Sequence, residues 1–163
     1  SGYLAKNKRI KINMLTKEME KLIKENTIGL VATVTPDGYP AVSPKATTIV
    51  LDSTHLAFID LRSPKTKRNI KVNPSVELNY IDVFRRRACR ITGKATYIEK
   101  EDKKFDGMSK NFTAWSSLLK KAKGVFVVEI LNAQEILSPA YDDGADEELL
   151  KAEWLAKYNT LLS

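Results

Sequence analysis

Apolar positions along the chain switch between helical and alternating spacing, and each switch marks an element. Met19, Leu22 and Ile23 recur at helical spacing behind the capping residue Thr16, and Asn26-Thr27 closes that helix. Ile28 to Thr35 is rich in β-branched residues and runs into Pro36-Asp37-Gly38. This predicts a strand entering a hairpin turn, with the Asp-Gly pair supplying the positive-φ position. Ala41 to Leu51 predicts the returning strand, and His55 to Asp60 a third strand after the turn Asp52-Ser53-Thr54. Ser63-Pro64 opens a helix that reaches Val72 and stops at Asn73-Pro74. Val76 to Val83 and Cys89 to Ile98 predict two further strands around a loop at Arg85-Arg86-Arg87. Glu101 to Leu119 reads as helix broken at Asn111-Phe112-Thr113. Gly124 to Leu137 predicts a sixth strand, and Asp146 to Leu162 a terminal amphipathic helix anchored by Leu149, Leu150, Leu155 and Leu162. Six strands with mostly short antiparallel connections predict a twisted sheet closing into a small barrel, its ends or edges covered by helices.

Composition narrows the chemistry. The 163 residues suit one compact domain, and the single cysteine, Cys89, excludes an intrachain disulfide framework or a multi-cysteine zinc site. The single histidine, His55, argues against a histidine-based metal centre, so no metal is expected. No apolar run approaches the ~18 residues of a membrane span. No signal-peptide pattern opens the chain, which makes the cytoplasm the expected compartment. The opening Ser1-Gly2 has the form of a tag-cleavage scar. The net charge is +7, but the stretch from Asp142 onward sums to −4, which leaves the body at +11. Such a surplus fits nucleic acid, a phosphorylated cofactor or an acidic partner.

Part of that charge gathers at one place. Asp60-Leu-Arg-Ser-Pro-Lys-Thr-Lys-Arg-Asn69 spans the end of a strand and the start of a helix, with no acidic residue between Arg62 and Lys71. Ser63 is placed to cap the helix and Pro64 suits its first position. Free N–H groups in that turn form an anion site, whereas cations there oppose the helix dipole unless an anion binds. An ordinary capped helix with a solvated basic face is the alternative. The glycines of a Walker loop are absent. Pro44 interrupts an otherwise good strand and belongs at an edge or a bulge, with Lys45 beside it adding a charge. Cys89 is expected to be a packed small residue, although Arg85, Arg86, Arg87 and Arg90 nearby could lower its pKa. The arginine run reads as a solvated hairpin tip, and His55 as an exposed or hydrogen-bonded strand start.

Taken in order, these segments resemble the FMN-binding split-barrel superfamily of the pyridoxamine 5'-phosphate oxidase type. The resemblance runs from Thr16 to Leu137. It rests on Ile28-Gly-Leu-Val-Ala-Thr-Val-Thr-Pro-Asp-Gly-Tyr-Pro40, on Val42-Ser-Pro-Lys-Ala46, on Ser63-Pro-Lys-Thr-Lys-Arg-Asn69 and on the strand pair Val76–Tyr80 and Arg90–Thr96. It implies a mainly β (α+β) fold, a six-stranded antiparallel split β-barrel with flanking helices. Residues 1–140 would form the flavin-binding domain, and 141–163 a helix packing on the barrel or on a dimer partner. It further implies a homodimer with FMN at the subunit interface and a small-molecule substrate or redox partner.

Lys65 and Thr66 would hold the flavin phosphate, Ser63 would support the turn, and Asn69 follows in the same helix. Ser43, Pro44, Lys45 and Ala46 would line the isoalloxazine. Asp60, Leu61 and Arg62 would run along the ribityl chain and ring edge. Trp115 would cover the flavin from the other subunit, or else serve core or dimer packing. The chain lacks the C-terminal Arg and His residues with which pyridoxamine phosphate oxidases hold their substrate, so that substrate is not expected. Relatives of this fold also bind F420, which makes an F420-dependent reductase the alternative. Readings of another class are a nucleic-acid-binding barrel, using Arg62–Lys71 and Arg85–Arg90, or a cofactor-free regulatory barrel. The lack of aromatic residues interleaved with those basic patches counts against nucleic acid.

Overall fold

The structure, a computed structural model, describes residues 13–163; the Ser1-Gly2 pair lies outside the described residues. Seven antiparallel strands form one sheet in the order β2-β1-β5-β6-β7-β4-β3. They are β1 (Gly29–Val34), β2 (Pro40–Lys45), β3 (Ile49–Asp52), β4 (His55–Asp60), β5 (Ser75–Asp82), β6 (Arg87–Glu99) and β7 (Gly124–Leu137). The helices are α1 (Lys17–Glu25), α2 (Pro64–Val72), α3 (Lys103–Ser109) and α4 (Glu147–Leu162), with a 3₁₀ segment at Thr113–Lys121. The architecture is the expected split barrel with flanking helices.

The single returning strand expected over Ala41 to Leu51 is two strands. β2 pairs with β1, whereas β3 pairs with β4 at the opposite edge of the sheet. The chain crosses between these edges at Ala46-Thr47-Thr48, and this crossing curls the sheet into a barrel. Both threonines turn inward at 4% and 2% exposure. Thr47 Oγ1 accepts the Ile59 N–H at 2.8 Å, and Thr48 Oγ1 lies 2.8 Å from the Tyr80 hydroxyl. Polar side chains thereby satisfy backbone and phenol groups that a dry barrel would otherwise strand. Pro44 sits in β2, an edge strand whose pairing with β1 keeps register throughout. Its missing N–H therefore costs no ladder bond.

Burial explains the run of apolar residues in β4. Leu56 and Phe58 face the barrel interior with Val31, Leu78, Ile91, Phe126 and Val128. Phe58 stacks on Phe126 with ring centroids 4.7 Å apart. Ala57 and Ile59 face the other way, under Phe105, Phe112 and Ala122 from α3 and the 3₁₀ segment. Helix α1 is capped by Thr16 Oγ1, which accepts the Met19 N–H at 3.1 Å, and it drives Met19 and Ile23 into the interior cluster. The hairpin glycine Gly38 has the expected positive φ of 87°. Gly107 lies inside α3, where an added Cβ would meet nothing within 4 Å. Gly107→Ala is therefore expected to stabilise the protein by about 0.5–1 kcal/mol, read as a higher urea midpoint at constant m.

Helix α4 departs from expectation. Of the four leucines expected to anchor it, only Leu150 is buried; Leu149, Leu155 and Leu162 are 73%, 43% and 84% exposed. The helix docks instead on the β5–β6 hairpin through its charged and aromatic residues. Arg86 lies 3.8 Å over the Trp154 ring, Glu147 Oε1 reaches Arg85 Nε at 3.7 Å and Arg87 Nη1 at 3.5 Å, and Phe84 meets Tyr158 edge-on. The arginine run is thus no free, solvated tip. Arg85 also pairs with Asp82 at 3.0 Å and Glu25 at 3.9 Å, and Arg87 with Glu135 at 3.5 Å. Burial alone would raise the Asp82 carboxyl, but the Arg85 and Phe84 N–H groups and the Arg85 guanidinium outweigh it and hold the group below the usual range. Arg86 takes a positive φ of 55° to close this turn.

Candidate anion-binding site

The strand β4 ends at Asp60 and α2 begins at Pro64, so three residues make the turn. Asp60 is buried and shapes it. Asp60 Oδ1 accepts the Ser63 N–H at 2.9 Å, and Oδ2 accepts the Tyr97 hydroxyl at 2.6 Å. Burial and the hydrogen bond to Asp60 both push the Tyr97 phenol up, so it remains a donor. Ser63 does not cap the helix with its side chain, contrary to expectation. Its hydroxyl accepts from Lys45 Nζ at 2.7 Å instead. The first-turn amides of Lys65 and Thr66 have no intrahelical partners and are left for a ligand.

The uncommitted cations converge on the same turn. Lys67 and Lys71 are bound by Glu99, each at 2.9 Å, and Lys67 also stands 4.5 Å over the Tyr97 ring. Among the described residues no carboxylate lies within ion-pair distance of Lys45, Arg62 or Lys65. Burial pulls the Lys45 ammonium below the usual lysine range, and the Asp60 charge partly offsets this. An anion in the turn would favour its charged form.

These groups line a cavity of about 440 Å³ between β2 and the start of α2. Of the residues expected from sequence, Ser43, Lys45, Arg62, Ser63, Lys65, Thr66 and Asn69 line it. Pro44, Ala46, Asp60, Leu61 and Trp115 do not. Asp60 is behind the turn, while Leu61 and Trp115 pack against the cluster under α3. Pro44, in β2, and Ala46, just past its end, flank Lys45 in sequence and are exposed outside the cavity lining. Sequence reasoning missed Thr33, Ala41, Val42 and Pro64. Thr33 was signalled only by its place in β1, opposite Ala41 of β2.

Two hydroxyl and amide groups complete the wall. Ser43 Oγ and Thr66 Oγ1 are 3.3 Å apart. Asn69, 2% exposed, donates from Nδ2 to Thr33 Oγ1 at 3.0 Å, and its Oδ1 has no partner. An unpartnered polar atom at that depth is open to a hydrogen bond from water or from a ligand group. Rotating the amide by half a turn would present its NH₂ to the cavity instead, so Asn69 can meet either a donor or an acceptor.

A second groove, of about 490 Å³, lies on the outer side of β5–β6–β7. Two of its three arginines pair with carboxylates, Arg90 with Glu77 at 2.9 Å and Arg87 with Glu135 and Glu147, and Arg86 lies over Trp154, although the Nε atoms of Arg87 and Arg90 are buried without a hydrogen-bond partner. The smaller cavity adds a helix N-terminus to three cations without a carboxylate partner and is the better anion site. Cys89 belongs to neither. It is 1% exposed, and burial together with the Glu135 charge pushes its thiol up to about 12, so the arginines do not activate it. The native protein is expected to leave an aromatic disulfide reagent unreacted at pH 8, with one thiol titrating only after denaturation. His55 opens β4 and shares Asp52 Oδ1 with Thr54, a local turn lock. No group of His, Cys, Asp and Glu suited to a metal ion occurs among the described residues, and none of their helices is long and apolar enough to cross a membrane.

The sequence matches the family model of pyridoxamine 5'-phosphate oxidase over residues 15–138. Among solved structures, HupZ of Group A Streptococcus superposes with a TM-score of 0.67 at 24% identity, covering 77% of this chain and 96% of its own. A candidate pyridoxamine 5'-phosphate oxidase from Lactobacillus delbrueckii gives 0.64 at 29% identity, over 75% of this chain and 94% of its own. An FMN-binding protein from Syntrophomonas wolfei gives 0.61 at 15% identity, over 75% and 86%. An F420 reductase shares the fold as well. No curated protein matches the sequence significantly.

Proposed function

The chain belongs to the pyridoxamine 5'-phosphate oxidase family, and from that premise we propose that it binds FMN in the cavity between β2 and α2 and acts as a flavin-dependent oxidoreductase or electron carrier. The observation that carries this is the first turn of α2, without a side-chain cap, beside three cations that have no carboxylate partner among the described residues, Lys45, Arg62 and Lys65. Such a turn suits one compact, doubly charged phosphate. The residues present also fit the remainder of the cofactor. The unpartnered Asn69 Oδ1 needs a hydroxyl or imino donor, and the ribityl chain and ring edge of a flavin offer both.

In this reading Lys65, Arg62 and the Lys65 and Thr66 amides hold the phosphate. Lys45 bridges the phosphate turn to β2 through Ser63. Asp60 and Tyr97 act from behind, fixing the turn so that its amides stay free. Asn69 and Thr33 set the depth to which the ligand enters. The flavin supplies the electron transfer, and the protein contributes binding, orientation and electrostatics. Two copies are proposed to associate around the cofactor. The outer sheet face supports this, since Leu30, Val42 and Ile81 are exposed there at 40%, 63% and 43%. Exposed apolar area of this kind marks an interaction surface.

The test is an absorbance spectrum of freshly purified protein, followed by fluorescence-quenching titrations with FMN, riboflavin and F420. Tight, saturable FMN binding with much weaker riboflavin binding is expected. Colourless protein that fails to bind FMN overturns the reading, and preference for F420 reassigns the cofactor.

A further inference from the structure

The larger groove, on the outer face of β5–β6–β7, holds donors that its carboxylates do not fill. Strand register sets its floor. Ile81, Ala88 and Ile136 lie side by side across the three strands, and Asn79 and Arg90 pair in the next row of the same face. Ala88 is the small member of the first row and leaves a hollow between two isoleucines. Arg86 and Arg87 close one end, held by Trp154 and Glu147 of α4. The family match ends at residue 138, so this end of the groove depends on a helix outside the matched barrel. The groove shares no lining residue with the anion cavity.

Charge and hydrogen bonding part company here. Asp82, Glu77, Glu135 and Glu147 stand against Arg85, Arg86, Arg87 and Arg90, which leaves little net charge. Glu77 lies 2.9 Å from Arg90 Nε, but that N–H has no hydrogen-bond partner, so the carboxylate sits off its direction. Arg87 Nε is buried and unpartnered too, and its Nη1 meets Glu135 and Glu147 only at 3.5 Å. Buried N–H groups without acceptors cost free energy, and a guanidinium held by charge alone turns toward an acceptor at little loss.

We propose that this groove binds an uncharged, flat ring compound, its carbonyl-bearing edge along Arg87 and Arg90 and its rings on Ile81, Ala88 and Ile136. The balance of charge selects the ligand. A carboxylate or phosphate gains little from neutralised cations and is repelled by Glu77 and Glu135, whereas a neutral carbonyl takes the unfilled donors and brings no charge. The sheet supplies an apolar floor, and guanidinium planes stack on rings. A groove of about 490 Å³ has room for such a compound. Ile81 also belongs to the face proposed to meet a second copy, but the arginine end is bounded by this chain's own α4.

The experiment is an NMR titration of the full, nitrogen-15-labelled chain, with and without FMN. The probes are N-methylphthalimide, a neutral ring compound with two carbonyls; phthalate, its anionic counterpart; and indane, which has the rings and no acceptor. The readouts are the Nε–H signals of Arg87 and Arg90 and the backbone amide of Ala88. N-methylphthalimide is expected to shift all three saturably, with a Kd of about 1 mM or tighter. Phthalate should bind at least about tenfold more weakly, and indane should leave both Nε–H signals unmoved. Ala88→Leu fills the hollow and should abolish binding. Arg90→Lys keeps the charge, loses the planar fork and should weaken binding about tenfold. The spectra themselves show whether each variant remains folded. Tighter binding of phthalate makes the groove an anion site and overturns the proposal. Equal shifts with indane make it an apolar slot and overturn it as well. So does a lack of saturable N-methylphthalimide binding, or binding indifferent to both variants. The same result is expected with and without FMN, so failure here leaves the cofactor reading intact, and failure of FMN to bind leaves the groove standing.

Discussion

Lys65→Glu is expected to lower the affinity for FMN by about a hundredfold while changing that for riboflavin by less than about twofold. Lys65 is exposed and makes no ion pair among the described residues, so its reversal costs the fold little. At the cavity mouth it replaces attraction to a phosphate by repulsion. A unit pair about 4 Å apart interacts by about 4 kcal/mol at the effective dielectric of a protein surface. Screening by salt reduces that, and about 3 kcal/mol survives for the full reversal. Arg68→Glu adds the same charge to the same helix outside the cavity lining, so it reports the general field and should cost at most about fivefold. Raising the ionic strength should narrow the gap between wild type and Lys65→Glu. Equal losses of FMN and riboflavin affinity would place the phosphate away from this turn.

The fold was legible wherever local chemistry and tertiary packing agree. Pro36-Asp37-Gly38 reads as a hairpin because only a positive φ closes that turn, and the structure places Gly38 there. Pro44 reads as an edge residue because it lacks an N–H, and β2 is an edge. The break at Ala46–Thr48 was illegible. Thr47 and Thr48 have high β propensity, and only their partners across the barrel, Ile59 and Tyr80, show that they are corner residues. The arginine run misled for a similar reason. Asp82 is only three residues from Arg85, but the other acidic partners, Glu25, Glu135 and Glu147, are far away in sequence, so most of the charge looks free until the chain is folded. With those arginines engaged, the nucleic-acid reading loses one of its two patches.

The site was legible as a segment and less so atom by atom. The basic stretch after Asp60, placed at a helix start, suggested an anion site, and the structure gathers seven of the twelve expected residues around one cavity. Which of its cations remain uncommitted depended on Glu99, which takes Lys67 and Lys71 and leaves Lys65. Ser63 illustrates the limit of capping rules. A hydroxyl at the start of a helix has two competing partners, and Lys45 claims it from the neighbouring strand. The first turn of α2 is thereby kept open.

Asn69→Leu is expected to weaken FMN binding by about thirtyfold, equivalent to about 2 kcal/mol, while leaving the stability of the cofactor-free protein within about 1 kcal/mol. The two effects separate because Asn69 is incompletely satisfied without a ligand. Its Oδ1 is buried with no partner, and a buried unmade hydrogen bond costs about 1–3 kcal/mol. Leucine has the same branched arrangement of four side-chain heavy atoms, with bulkier methyl groups that extend toward the cavity, and removes that cost. It also deletes the 3.0 Å bond to Thr33 Oγ1, and the two changes offset each other. In the complex there is no offset, since the ligand group that would meet Asn69 faces a methyl instead. Urea unfolding of the cofactor-free variant should then match wild type, whereas the extra stability conferred by saturating FMN should shrink by about 2 kcal/mol through linkage. Asn69 joins α2 to β1 as well as facing the cavity, so a packing role makes the opposite forecast: a cofactor-free protein destabilised by about 2 kcal/mol or more, with FMN affinity kept. Measuring both quantities on the one variant decides whether this amide is kept for the ligand or for the barrel.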